Sequence, residues 1–173
     1  MARVYKKRNS HANRGKDLEM YISQANERYS LLEVAEIEQI PIPIGIDKVD
    51  TKTKKITNAF FKEKSTVDFL GVSNGRFIAF DAKETEDPNK FPLQNVHEHQ
   101  YKKLKQYFIQ SGVSFLIVHF KSHQETYILK FLDLSVWWER DAKSIPYVFF
   151  KDRCIKCGPG RNVPIDYLAG LGI

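Results

Sequence analysis

Cysteine is scarce: two occur in 173 residues, Cys154 and Cys157, set as CIKC near the C-terminus. A four-ligand zinc site needs a second pair of Cys or His at suitable spacing. No further cysteine exists and all five histidines lie far upstream, so the pair reads as two ordinary thiols. No apolar run approaches the roughly 18 residues that a membrane-spanning helix needs. The opening MARVYKKRNSHANRGK also lacks the apolar segment of a secretory signal. A cytoplasmic protein without a membrane partner is expected. Internal repeats and low-complexity linkers are absent as well, and acidic residues are missing altogether from positions 1–16.

What is present is enough for a folded core. Apolar residues make up 42% of the chain and aromatics 13%, which suits one domain of ordinary size spanning 1–173. The net charge is +6, and the excess is clustered. Arg3, Lys6, Lys7, Arg8, Arg14 and Lys16 form an acid-free start, so 1–13 reads as a flexible basic arm for a polyanion. Lys48, Lys52, Lys54, Lys55, Lys62 and Lys64 form a second cluster, diluted only by Asp47, Asp50 and Glu63. Either cluster alone is also what a solvated surface looks like. Together with Lys102, Lys103 and Lys105 on one helix they favour a nucleic-acid partner.

Leu18, Tyr21, Ile22, Ala25 and Tyr29 recur at helical spacing and predict a helix over about 15–30. Pro41 and Pro43 exclude a central strand in IPIPIGIDKV. The basic segment 41–61, with DTKTKK as its turn, has too few apolar residues for a core of its own and reads as an inserted, projecting hairpin. STVDFLGV and GRFIAFDAK predict strands joined by SNG, whose Asn-Gly pair suits a tight hairpin turn. A helix over about 96–111 follows, with Val96, Tyr101, Leu104, Tyr107 and Phe108 inward, then strands VSFLIVHF and ETYILKFL and a short helix DLSVWWERD. The order predicts a mixed α/β fold around one sheet.

The chemistry concentrates in RFIAFDAKE and the strand before it. Asp81 and Lys83, two apart on a strand, point to one side of the sheet, as do Thr66 and Asp68 if STVDF is extended. Pairing the two strands brings Asp68 toward Asp81 and Lys83. Adjacent carboxylates repel unless a cation lies between them, and hard oxygen donors of this kind suit Mg²⁺ or Mn²⁺. Such an ion serves phosphodiester hydrolysis by lowering the pKa of a bound water, with Lys83 placed to offset charge on the phosphate. The same residues also permit a plain strand-end ion pair with Asp68 as a turn residue.

An Asp followed one hairpin later by an acid-x-Lys element, with helices before and after, resembles the PD-(D/E)XK nuclease superfamily. The longer strings NRGKDLE, FFKEKSTVDFLGV, GRFIAFDAKET and FPLQNVHEHQ, with VPIDYL near the end, resemble the RecU family of bacterial Holliday-junction resolvases from about Asn13 to Leu168. The resemblance implies a restriction-endonuclease-like mixed sheet flanked by helices, with 41–61 as a stalk that enters the centre of a four-way junction. It implies Mg²⁺, with Mn²⁺ as the alternative, held by Thr66, Asp68, Asp81 and Gln100. Lys83 is then the lysine that stabilises the transition state, and Glu19 an acid of the first helix bordering the site. Arg14, Lys48, Lys52, Lys54, Lys55, Lys62 and Lys64 would contact DNA, and a homodimer would cut two strands symmetrically. A recombinase is a further candidate partner. Two departures stand out: Val67 replaces the usual Pro before the first Asp, and Asp81 replaces the usual Glu.

Two rival readings accompany this one: a related nuclease for other branched DNA, and a junction-binding accessory protein whose site has decayed. His97 and His99 are expected on different helix faces, as surface or DNA-contacting residues. Of Trp137 and Trp138, one is expected in the core and the other at the surface or an interface. GPG at 158–160 reads as a turn, since no phosphate-loop context surrounds it.

Overall fold

A computed structural model describes residues 16–61 and 67–173. The expected arm 1–13, Arg14, Lys62, Lys64 and Thr66 lie outside these residues. Six strands form the main sheet in the order β1 (Glu36–Gln39), β4 (Phe69–Ser73), β5 (Arg76–Thr85), β7 (Val113–Phe120), β8 (Glu125–Lys130), β10 (Ile155–Cys157). Neighbours run antiparallel except β5 and β7, which are parallel. Between those two strands the chain passes through β6 (Lys90–Pro92), a single 3-10 turn at Leu93–Asn95 and helix α2 (Glu98–Ile109). A crossover of this kind is what a parallel pair requires.

Each face of the sheet carries its own core. On one face α1 (Lys16–Leu31) contributes Leu18, Ile22, Ala25 and Tyr29, and α5 (Tyr167–Leu171) contributes Tyr167 and Leu168. On the other, Tyr101 and Leu104 of α2 pack with Phe131 and Leu134 of α3 (Phe131–Glu139) and Phe150 of α4 (Tyr147–Arg153). Phe69, Phe80 and Phe115 stand side by side on β4, β5 and β7, stacked at 4.9 and 4.7 Å between centroids. The aromatic ladder fixes the register in which Phe69 faces Phe80. That register decides where the neighbouring Asp68 and Asp81 meet.

The SNG turn forms as expected, with Asn74 and Gly75 at φ 48° and 74°, the positive angles a two-residue hairpin demands. Gly71 permits the closest strand contact: a Cβ there would lie 2.2 Å from the Glu36 carbonyl oxygen. The segment 41–61 forms β2 (Ile44–Val49) and β3 (Ile56–Phe61), which pair with each other in a separate two-stranded sheet.

Several expectations are corrected. Of the strand expected over STVDFLGV, the described residues form strand from Phe69, with a bend at Asp68; the expectation that Thr66 shares the face of Asp68 lies outside the described residues. Phe131 and Leu132 open α3 rather than ending β8. Phe108 and Tyr21, expected inward, are exposed. Both tryptophans are half-buried against the α2-face core, Trp138 stacked on Tyr101 and Trp137 edge-on to Phe149. Cys154 and Cys157 belong to the cores of opposite faces, and burial pushes both thiols up to about 12, which leaves them unreactive. Among the described residues no helix is long and apolar enough to cross a membrane.

Candidate active site

Where the β4–β5 ladder ends, side chains take over from the backbone. The Asp68 N–H donates to Oδ1 of Asp81 at 3.0 Å, and the Ala82 N–H donates to Oδ2 of Asp68 at 3.0 Å. This reciprocal bridge holds the two carboxylates side by side across the strand pair. The Ile40 N–H donates to the Asp68 carbonyl at 2.8 Å, securing the bend from the far side. Gln100, in the first turn of α2, donates its Nε2 to Asp81 Oδ1 at 3.1 Å.

Asp81 Oδ1 thus has two donors, while its Oδ2 is buried and, among the described residues, meets no hydrogen-bond partner. A buried carboxylate with one bare oxygen is costly unless a cation or proton meets it. The Asp81 carboxyl is accordingly pushed up to about 7, chiefly by burial; Lys83 opposes the shift and Asp68 adds to it. Lys83 follows on the same face, its Nζ 4.0 Å from Asp68 Oδ2 and its side chain 14% exposed. At that distance it is an ion-pair neighbour rather than a hydrogen-bond donor.

Glu19 borders this group from α1. Its Oε2 accepts from Gln39 Nε2 at 2.9 Å. Burial raises its proton affinity first of all, with the Gln39 bond opposing; Asp68 and Glu84 raise it further while Lys83 counters them. Glu84 itself forms an ion pair at 2.5 Å with Lys121 from the end of β7. That β7–β8 turn also grips the segment after β5: the Lys121 N–H donates to the Thr85 carbonyl, Ser122 Oγ to Glu86, and His123 Nε2 lies 2.7 Å from the Pro88 carbonyl. A carbonyl only accepts, so His123 carries its proton on Nε2. Glu84, Lys121 and Gln39 escaped the sequence reading. Glu84 had a signal, following Lys83 directly in DAKE; Lys121 depends on the parallel register that sets Thr85 against Phe120.

The donor set fits a hard divalent ion: two adjacent carboxylates, one with a bare buried oxygen. Among the described residues no cluster of three His, Cys, Asp or Glu forms, so waters and neutral oxygens would complete the shell, as Mg²⁺ prefers. His97 caps α2, and because it precedes the helix its ring stacks on that of His99, with centroids 5.5 Å apart, contrary to the expected divergence.

Lys48, Lys52, Lys54 and Lys55 all lie exposed on the β2–β3 hairpin, and no ion pair engages them among the described residues. The hairpin's acids are occupied locally: Asp50 Oδ1 accepts from the Lys52 and Thr53 N–H groups, and Asp47 accepts from Asn58. Its four lysines outnumber its two aspartates, so the ribbon carries net positive charge.

Residues 13–172 match the protein family described as Recombination protein U. The chain is 38% identical over 162 residues to the Holliday junction resolvase RecU of Streptococcus pneumoniae (strain Hungary19A-6), covering 91% of this chain and 82% of that protein. It is 37% identical over 169 residues to the protein of the same name from Limosilactobacillus fermentum, covering 94% and 80%. Among solved structures, the Holliday junction resolvase Hjc of Archaeoglobus fulgidus aligns with a TM-score of 0.43 at 8% identity, over 79% of this chain and 88% of that one. With a family match across nearly its whole length and relatives above one-third identity, the chain belongs to the Recombination protein U family.

Proposed function

We propose that this protein is a metal-dependent endonuclease that resolves four-way DNA junctions by paired, symmetric phosphodiester hydrolysis during recombination and repair, leaving nicks that can be ligated. The observation that carries the reading is the Asp68–Asp81 bridge, which leaves Asp81 Oδ2 bare and buried beside Lys83. Its relatives' name, Holliday junction resolvase, supports the choice of substrate.

Asp68 and Asp81 would hold Mg²⁺ or Mn²⁺, and the resemblance adds Thr66 and Gln100. When bound, such an ion supplies Lewis-acid polarisation of the phosphate and a water of lowered pKa. The chain's own residues do the rest. Lys83 offsets the charge that grows on the phosphate oxygens. Glu19, held by Gln39 and of raised proton affinity, borders the space where a water would be oriented. The hairpin lysines, with Arg14, Lys62 and Lys64, neutralise the phosphates that crowd the centre of a junction. Junction shape rather than base edges would then govern recognition. A homodimer supplies the two sites that symmetric cutting needs, and the setting is the cytoplasm, where a recombinase could also be met.

A synthetic mobile four-way junction, incubated with the purified protein, should be cut at two symmetric positions only when Mg²⁺ or Mn²⁺ is added. Tight junction binding with no cutting under any divalent ion would favour an accessory protein with a decayed site, the rival kept alive by Asp81 in place of Glu. Cutting of flaps or forks in preference to the four-way junction would favour a different branched substrate.

A further inference from the structure

The end of the main sheet opposite the acids carries a groove of its own, with a volume of about 320 Å³. It opens where β5 and β7 begin and β8 ends. Arg76 heads the same strand that carries Asp81, and at the rise of an extended chain roughly 16 Å separates the groove from the carboxylates. Its lining is largely apolar. Phe108 from the end of α2 and Phe131 and Leu132 from the start of α3 contribute most of it, and Leu132 is 61% exposed. The charge in the groove is all of one sign at Arg76 and Lys130: both side chains are exposed, and neither is in an ion pair among the described residues. Ser114 also lines the groove, 5% exposed, with its Oγ buried and meeting no hydrogen-bond partner among the described residues. A buried hydroxyl left so is costly, and an acceptor brought into the groove relieves it.

This combination sorts the classes of occupant. A DNA backbone offers phosphates to the two cations but nothing to the phenylalanines. A second copy, related by a two-fold axis through the groove, would set Arg76 and Lys130 against their own counterparts, like charge against like. An acidic chain segment that carries a bulky apolar side chain satisfies both the lining and the charge.

We propose that this groove is a docking site for an acidic segment of another protein, which seats a large apolar side chain against Phe108, Phe131 and Leu132 and sets its carboxylates beside Arg76 and Lys130. Its distance from Asp68 and Asp81 leaves the partner and a junction free to be held at the same time. The inference is independent of the metal-dependent reading above.

The test titrates the ¹⁵N-labelled full chain with a capped hexapeptide of sequence EDLFDE and follows it by NMR. Saturable shifts are expected at the amides of Val113, Ser114 and Leu132, with a dissociation constant of about 1 mM or tighter, while the Asp68 and Asp81 amides stay in place. The uncharged counterpart QNLFNQ and the apolar-free EDGGDE should each bind about tenfold more weakly or worse. Arg76→Gln combined with Lys130→Gln should weaken EDLFDE about tenfold, while junction affinity by gel shift stays within about twofold. No saturable shift at the groove, or equal binding of EDLFDE and either control peptide, overturns the proposal. A fall in junction affinity of about tenfold in the double variant assigns the two cations to DNA and overturns it as well. Shifts at the same amides when the protein alone is concentrated would give the groove to a second copy instead. If the double variant does not fold, the three peptides on the unaltered chain decide.

Discussion

Lys83 stands two residues beyond Asp81 on β5, and strand alternation turns both toward the α2 face. Its Nζ lies 4.0 Å from Asp68 Oδ2, an ion-pair distance beyond hydrogen-bond reach. Lys83→Ala should therefore lower junction cleavage by about 10²–10³-fold or more, the usual effect of removing one electrostatic stabiliser, while junction affinity measured by gel shift stays within about threefold. Cleavage surviving within tenfold of the parent would remove Lys83 from the chemistry. This pair was legible in RFIAFDAKE because a strand repeats every second residue, and its meeting with Asp68 was legible because Asn74–Gly75 set the hairpin register. The contact of Gln100 with Asp81 was legible only through the resemblance. It depends on where α2 starts relative to β5, a tertiary placement that residue spacing does not encode, and the Glu84–Lys121 pair is hidden for the same reason.

At the scale of the element, the β2–β3 hairpin is the part of the fold least committed to a core. Ile44, Ile46, Ile56 and Phe60 are more than half exposed, and the strands pair only with each other among the described residues. Such a ribbon gains little from burial, and what it presents to solvent is Lys48, Lys52, Lys54 and Lys55, in no ion pair among the described residues. Deleting 45–58 joins Ile44 to Ala59 at the base of the ribbon, two residues from the Ile44–Phe61 pair that remains. Thermal unfolding of the shortened protein should stay within about 3 °C of the parent, while its preference for a four-way junction over linear duplex falls. Unchanged selectivity in a competition binding assay would dismiss the hairpin as a junction-reading element. Prolines and charge made the hairpin readable in the sequence. The edge strand β1 was not, because only Ile37 of its four residues is buried and no periodicity results. The short elements α4, β10 and α5 likewise owe their form to packing against the sheet rather than to local pattern.

For the whole molecule, the buried acid at the sheet's end makes stability depend on pH and on ions. Asp81 ionises near 3.8 when unfolded and at about 7 when folded, so between those values the native state holds a proton that the unfolded chain has released. Stability from this group is therefore fully present at low pH and is lost as pH rises toward and through 7, by an amount on the order of a few kcal/mol. Glu19, also raised, pulls the same way; His119, whose proton affinity is lowered mainly by burial, pulls the opposite way, since its share is lost as pH falls. Asp81→Asn isolates the first contribution. In calorimetry of the metal-free protein from about pH 5 to about pH 8, the melting temperature of the parent should fall relative to that of Asp81→Asn. A cation bound at Oδ2 would replace the proton, so Mg²⁺ should raise the parent's melting temperature more at the upper end of that range than at the lower, by mass action on the native state. The asparagine variant should lose most of that gain. Identical pH slopes for parent and variant, together with an ion effect that ignores pH, would mean that the bare oxygen of Asp81 is not where proton and metal compete.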